Sequence, residues 1–326
     1  MIILITVILF TLVFVYTNGF HDSANAIATV FATRTLSLRA ALLYGASLNF
    51  LGAFFGIQVA KTIGISIAAS ASITQTVILC ALLGAIIWNI ITWFYGLPSS
   101  SSHALIGGLI GAAIMHASIH AINMHGIMHK VVIPMIISPI LGIIITYIFT
   151  TVLLKITCNL CDKKLKKYFG KLQLISSGLM AFSHGANDTQ KSMGIITIAL
   201  IHFYALHSFN VPIWVILICA TGMACGTMIG GWKIIKTMGR KIIKLKPMDG
   251  FAAETSAAGI LLTASHFGIP VSTTHVISGS IIGAGSAKRF SAINWRLFSN
   301  IVFAWILTIP AAMILSGGLY FLLNKL

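Results

Sequence analysis

The sequence predicts an all-α, polytopic membrane protein built as an inverted-topology repeat with two helical hairpins and broken helices, and three observations carry that expectation. Apolar residues fill 58% of the 326 positions and charged residues only 8%, against about 25% charged in soluble domains. Apolar runs approaching the ~20 residues that cross a bilayer recur from residue 2 to residue 323, which leaves no room for a separate soluble domain. Finally, two pairs of motifs match between the halves. HDSANAIAT at 21–29 aligns with NDTQKSMGI at 187–195, placing Asp22 over Asp188, and GLPSSSSHALIGG at 96–108 aligns with GIPVSTTHVISGS at 268–280, placing His103 over His275.

Taken in order, spans are expected near 1–33, 38–60, 130–154, 172–200, 212–232 and 295–323. The opening MIILITVILFTLVFVY lacks the basic start of a signal peptide and runs straight into polar residues, so it is expected to be the first span of the mature chain. Two further regions, 73–117 and 250–287, read as paired arms bent at GLPSSSSHA and GIPVSTTHV, because Pro and Ser clusters interrupt a helix. Each is compatible with a re-entrant hairpin or with two spans.

The net charge is +16. In a soluble chain that would suggest a nucleic-acid partner, but here the basic residues gather in 155–171, 233–246, 288–296 and at Arg34 and Arg39. Basic loops lie on the cytoplasmic side. With the N-terminus outside, all four segments fall inside, the first hairpin opens outward, the second inward, and the C-terminus is outside. The expected organisation is therefore a first repeat at 1–154, a cytoplasmic basic linker at 155–171 and a second repeat at 172–326, in the cell (inner) membrane. Elements that recur in the same order with opposite sidedness are the plan of secondary transporters, whose site lies near the midplane where broken helices meet.

The motif residues suit such a site. GLPSSSSH and GIPVSTTH place Pro and then hydroxyls ahead of an apolar helix. A helix start offers free N–H groups and a favourable dipole to an anion. Ser100, Ser101, Ser102, Ser272, Thr273 and Thr274 add donors, so two such starts brought from opposite faces would hold an oxyanion. His103 and His275 follow the hydroxyls; a buried His is usually a structural hydrogen-bond partner, while a gating or proton-carrying role stays open. Asp22 with Asn25, and Asn187 with Asp188, are oxygen ligands beside an expected break in an apolar helix, suited to Na⁺ or to carrying H⁺. Of five acidic residues, Asp22, Asp188 and Glu254 fall in apolar segments, where an ionisable group marks a functional path. Lys191 aligns with Asn25 of the first half and is placed to pair with Asp188 or to reach the anion; in either role its charge opposes Na⁺.

Two weaker features remain. His116 and His120, and likewise His125 and His129, have the i, i+4 spacing of a metal pair in an outer segment. The lone Cys158–Cys161 motif supplies half of the four ligands a structural zinc takes. No other cofactor is expected.

The motifs GFHDSANAIAT, SHGANDTQKSMG, GFAAETSAA, GLPSSSSHALIGG and GIPVSTTHVISG resemble the signatures of the inorganic phosphate transporter (phosphate permease) family, and the likeness covers essentially the whole chain. The resemblance implies a dimeric symporter that brings inorganic phosphate inward with Na⁺ or H⁺. Asp22, Asn25, Asn187 and Asp188 would be ion and substrate ligands, the hairpin hydroxyls would bind the anion, and Glu254 matches the family's second-hairpin Glu. His21 stands where the family usually has Asn, and Asn49 where some members carry Glu; both bear on whether a full Na⁺ ligand set exists. The QKS variant is similar to the bacterial branch, so H⁺ is favoured over Na⁺, with Mg²⁺ or Zn²⁺ as a companion of phosphate. Sulfate or another tetrahedral oxyanion is the rival substrate. An intramembrane hydrolase would need one hydroxyl activated by one base, whereas the Ser/His arrangement here occurs twice; a non-transporting scaffold leaves the intramembrane carboxylates without a role.

Overall fold

The computed structural model describes residues 1–67, 73–119, 124–206 and 208–325. The described residues form helices and turns and no strand. The first half comprises α1 (Ile2–Ala32), α2 (Leu38–Gly52), α3 (Gln58–Lys61, continued by a π-helical stretch Thr62–Ile67), α4 (Gln75–Tyr95), α5 (Ser101–Ala117), α6 (Met124–Ile127, running through π-helical Met128–Val132) and α7 (Ile133–Ile156). The second half follows the same order: α8 (Asp162–His184), a π-helical turn (Gly185–Thr189) and α9 (Gln190–Tyr204) stand where α1 stood. Then come α10 (Ile213–Ile229), α11 (Trp232–Lys236, extended by π-helical Thr237–Lys241), α12 (Pro247–His266), α13 (Thr273–Lys288) and α14 (Trp295–Leu323).

The two hairpin bends are built alike. Gly96 and Gly268 each adopt φ +68, a left-handed conformation that costs glycine little and ends the preceding helix. A proline follows two residues later, and Ser100 and Ser272 then cap the next helix, their hydroxyls accepting from His103 N and His275 N at 3.3 Å in both cases. The shared G-x-P-x-S spelling thus produces the same reversal twice.

Helices in a bilayer gain little from hydrophobic exclusion and associate through close contact at small residues. Packing is reciprocal between halves: α5 lies on α14 and α13 on α7, while α1 lies on α10 and α8 on α2. A Cβ on Gly107 would come 2.7 Å from Ile309 O, and one on Gly279 2.4 Å from Pro139 O, so equivalent glycines seat both inner hairpin arms.

The outer arms differ. α4 closes on α14, with Gly84 against Ser316 and Trp88 Nε1 donating to Thr308 at 3.2 Å. Between α12 and α7, by contrast, Ser256 and Ile260 of α12 and Ile137 and Ile145 of α7 line an apolar groove of about 1030 Å³.

Four described helices are long and apolar enough to cross a membrane: Ile2–Ala32, Gln75–Tyr95, His125–Ile156 and Trp295–Leu323. Several expected spans are interrupted. The run 38–60 stops at Gly52 and restarts at Gln58, around Gly56 at φ +83. The run 212–232 ends at Gly230 (φ +72), where the axis turns by 64° and Gly231 N donates to Ser23 Oγ at 2.9 Å. Residues 162–171 of the basic linker are helical, as the first turns of α8. The first Asn-Asp signature lies on unbroken α1, whereas the second falls on the π-turn.

Candidate functional site

The starts of α5 and α13 meet. The His103 and His275 rings lie 4.8 Å apart, and Trp305 stacks on His275 at 4.0 Å while its Nε1 donates to Pro98 O at 2.9 Å. Trp305 therefore ties the last helix to both hairpin tips. Both histidines are buried, and His103 Nδ1 and His275 Nε2 have no hydrogen-bond partner among the described residues.

Around these tips the two Asn-Asp signatures supply the charged groups. On α1, Asp22 Oδ1 lies 2.7 Å from His21 Nδ1, which orients it, and accepts from Thr274 Oγ1 at 3.4 Å. His21 Nε2 is in turn held by Thr92 Oγ1 at 3.0 Å and Ser99 Oγ at 3.3 Å. Asn25 Nδ2 donates to Thr273 Oγ1 and Thr274 Oγ1 at 3.1 and 2.9 Å.

In the second half, Asp188 Oδ2 accepts from Thr273 Oγ1 at 2.9 Å and lies 3.2 Å from His184 Nε2, while Oδ1 pairs with Lys191. Lys191 is buried at 1% exposure. Its ammonium, which has three protons to give, donates to Asp188 Oδ1, to Ser102 Oγ and to Val271 O. A carboxylate, a hydroxyl and a hairpin-tip carbonyl are the oxygen ligands a hard cation takes. Lys191–Ser102 and Asn25–Thr274 are equivalent contacts, since each pairs a signature residue with the third hydroxyl of a tip.

The remaining expected residues distribute unevenly. Asn187 Nδ2 donates to Ser265 Oγ at 2.9 Å, on the α12 side of the second bend. Ser101 Oγ is buried without a partner among the described residues. Glu254 sits in a separate buried polar cluster, accepting from Thr29 Oγ1, Ser176 Oγ and Gln173 Nε2, and makes no hydrogen bond to the Asp22–Asp188 group. Of the paired histidines in 116–129, His116 Nδ1 is 2.6 Å from Tyr320 Oη, His125 and His129 rings lie 4.3 Å apart, and His120 falls outside the described residues.

Sequence reasoning missed His184, whose Nδ1 lies 3.0 Å from Asn49 Oδ1. The signal available was its i, i+4 spacing to Asp188. It also missed Thr29, Gln173 and Ser176, which satisfy Glu254. Atoms of Asp22, His184 and Asp188 converge within 4.8 Å of one another, a ligand set that could hold a metal ion.

An all-helical chain with several membrane-length apolar helices, in which two capped hairpin tips meet beside buried carboxylates and an ammonium, has the build of a multi-pass membrane transporter. The sequence profile described as "Phosphate transporter family" matches twice, over residues 18–166 and 157–316. A "Probable low-affinity inorganic phosphate transporter" of Rhizobium meliloti (strain 1021) is 44% identical, with 98% of this chain and 96% of the relative aligned. A protein of the same description from Bacillus subtilis (strain 168) is 43% identical over 100% and 98% of the two chains. A solved structure titled "The sodium-dependent phosphate transporter" superposes with a TM-score of 0.89 at 25% identity, covering 100% of both chains. The chain belongs to the phosphate transporter family, and it is a transporter rather than an enzyme.

Proposed function

We propose that this chain imports inorganic phosphate across the cell membrane by proton symport, as a homodimer with both termini outside and Lys191 acting as a resident cation. The observation that carries the coupling is the Lys191 ammonium among three oxygen ligands beside Asp188, which occupies a place otherwise suited to Na⁺. Asp22 and Asp188 also take donors from Thr274 and Thr273, hydroxyls a bound phosphate would need. Carboxylate and anion thus compete, and a proton arriving on a carboxylate frees a hydroxyl for phosphate. Ser101, unpartnered at the first tip, is an additional donor.

Substrate identity is tested with the purified protein in proteoliposomes: saturable uptake of radiolabelled phosphate, unaffected by excess sulfate, is expected. Equal uptake of labelled sulfate would overturn the assignment. Sulfate carries no proton at pH 7, so it cannot deliver one to either carboxylate.

Alternation between faces is read from the unequal outer arms. With α4 closed on α14 and α12 held off α7, the repeats are in two different arrangements, and exchanging them would move access from one face to the other. In a cysteine-free background, Ile145→Cys with Ser256→Cys is expected to cross-link across the groove and stop uptake until a reductant is added. Efficient cross-linking that leaves uptake intact would rule this exchange out.

Sidedness follows the basic segments. Lys164→Cys in the same background is expected to resist an impermeant thiol reagent in intact cells; rapid labelling would reverse the topology.

A second reading has its own observation. The Asp22, His184 and Asp188 cluster supports entry of phosphate with Mg²⁺ or Zn²⁺, the divalent ion displacing Lys191 from Asp188.

A further inference from the structure

The four basic segments converge on one concavity. A cavity of about 1120 Å³ is lined by Arg34 after α1, Lys166 on α8, Arg240, Lys244 and Lys246 between α11 and α12, and Lys288 at the end of α13. Asp162 is the one carboxylate in its lining; it pairs with Lys246, and Asp249 nearby pairs with Lys288. Arg240 lies over the Phe31 ring. Arg34, Lys166, Arg240 and Lys244 thus face the cavity with no carboxylate partner among the described residues. Orienting a membrane protein requires only that basic residues lie on one face. It does not require cations from separate chain segments to surround a single hollow. Nor does it require Arg34 to be held at φ +60, a conformation uncommon outside glycine.

The cavity also connects inward. Thr33, in its wall, donates to Gln173 Oε1 at 2.8 Å, and Gln173 Nε2 donates to Glu254 Oε1 at 3.1 Å. A continuous polar chain therefore runs from the basic hollow to the buried carboxylate beneath it.

We propose that this cavity is a binding site for a phosphoryl anion, separate from the site at the hairpin tips. A compact, multiply charged oxyanion suits it, because such a group takes several charge-assisted hydrogen bonds at once. Two sources offer that chemistry: free inorganic phosphate, for which the site would be a vestibule on the transport path, and the headgroup of an anionic lipid. The vestibule role rests on the transport reading above; the existence of the site does not.

The test uses binding rather than uptake. Full-length protein is placed in nanodiscs of phosphatidylcholine, with and without phosphatidylglycerol, and compared with a Lys166→Gln, Lys244→Gln variant; both side chains are exposed. If free phosphate is the ligand, wild type in neutral lipid binds inorganic phosphate at a site that high salt removes, and the variant weakens that site about tenfold. Should the ligand be a headgroup, phosphate binding is the same in both proteins, and wild type retains several times more phosphatidylglycerol through detergent washing. Equal phosphate binding together with equal lipid retention overturns the proposal. Because hairpin-tip binding is measured in the same titration, losing that site while the salt-sensitive one persists would count against the transport reading alone.

Discussion

Asp188→Asn is expected to abolish phosphate uptake, a loss of about a hundredfold or more, and to lower the amount of protein that reaches the membrane. The second effect follows from the ion pair. Lys191 is buried and spends its protons on Asp188, Ser102 and Val271, so an amide at 188 leaves a buried ammonium without its counter-charge. Breaking a buried pair from one side costs about 3–5 kcal/mol, comparable with much of a domain's stability. The double variant Asp188→Asn, Lys191→Met removes both charges. It is expected to recover membrane levels and to remain inactive, which separates the structural from the transport contribution. Asp22→Asn leaves no ammonium stranded, since Asp22 bonds to His21 and Thr274, and is expected to lose uptake at near-normal abundance. Wild-type uptake by either single variant would remove that residue from the site.

Lys191→Asn has the next largest effect. It installs in the second repeat the residue that the first carries at Asn25, replacing a fixed positive charge with an amide oxygen. Two unit charges about 4 Å apart interact by roughly 4 kcal/mol at an effective dielectric near 20, and each 1.4 kcal/mol is about tenfold in binding. The wild-type ammonium therefore disfavours Na⁺ beside Asp188 by about three orders of magnitude, and the variant lifts that barrier. Uptake is expected to slow by about tenfold and to acquire Na⁺ dependence in media where wild type shows none. A variant as fast as wild type and as indifferent to Na⁺ would reduce Lys191 to a structural partner.

Much of this was legible because it is written twice. The G-x-P-x-S reversals, the hydroxyl runs and the matched Asp22 and Asp188 recur in the same order in both halves, and local chemistry alone determines what a left-handed Gly, a Pro and a Ser cap do to a helix. What was hidden depends on contacts between distant segments. Gln173 is a polar residue on a basic helix until folding brings it to Glu254, 81 positions away. His184 gains its meaning from Asn49, 135 positions distant. The breaks near Gly56 and Gly230 were also missed, because apolar composition stays high across them while the backbone turns. Composition measures what a segment is dissolved in, and it is silent about where the helix axis bends. The break expected beside both Asn-Asp signatures exists only in the second half, as the π-turn at Gly185–Thr189, while α1 runs unbroken through Asp22.

The coupling turns on whether the Lys191 ammonium replaces Na⁺, and uptake driven by one gradient at a time decides this. Proteoliposomes holding wild-type protein are placed in Na⁺-free choline buffer with an inward proton gradient, and then at equal pH with an inward Na⁺ gradient. Accumulation of labelled phosphate under the proton gradient, with no response to Na⁺, is the expected result. Proteoliposomes inert at every pH gradient in choline, and restored by adding Na⁺, would show that the lysine does not stand in for the ion.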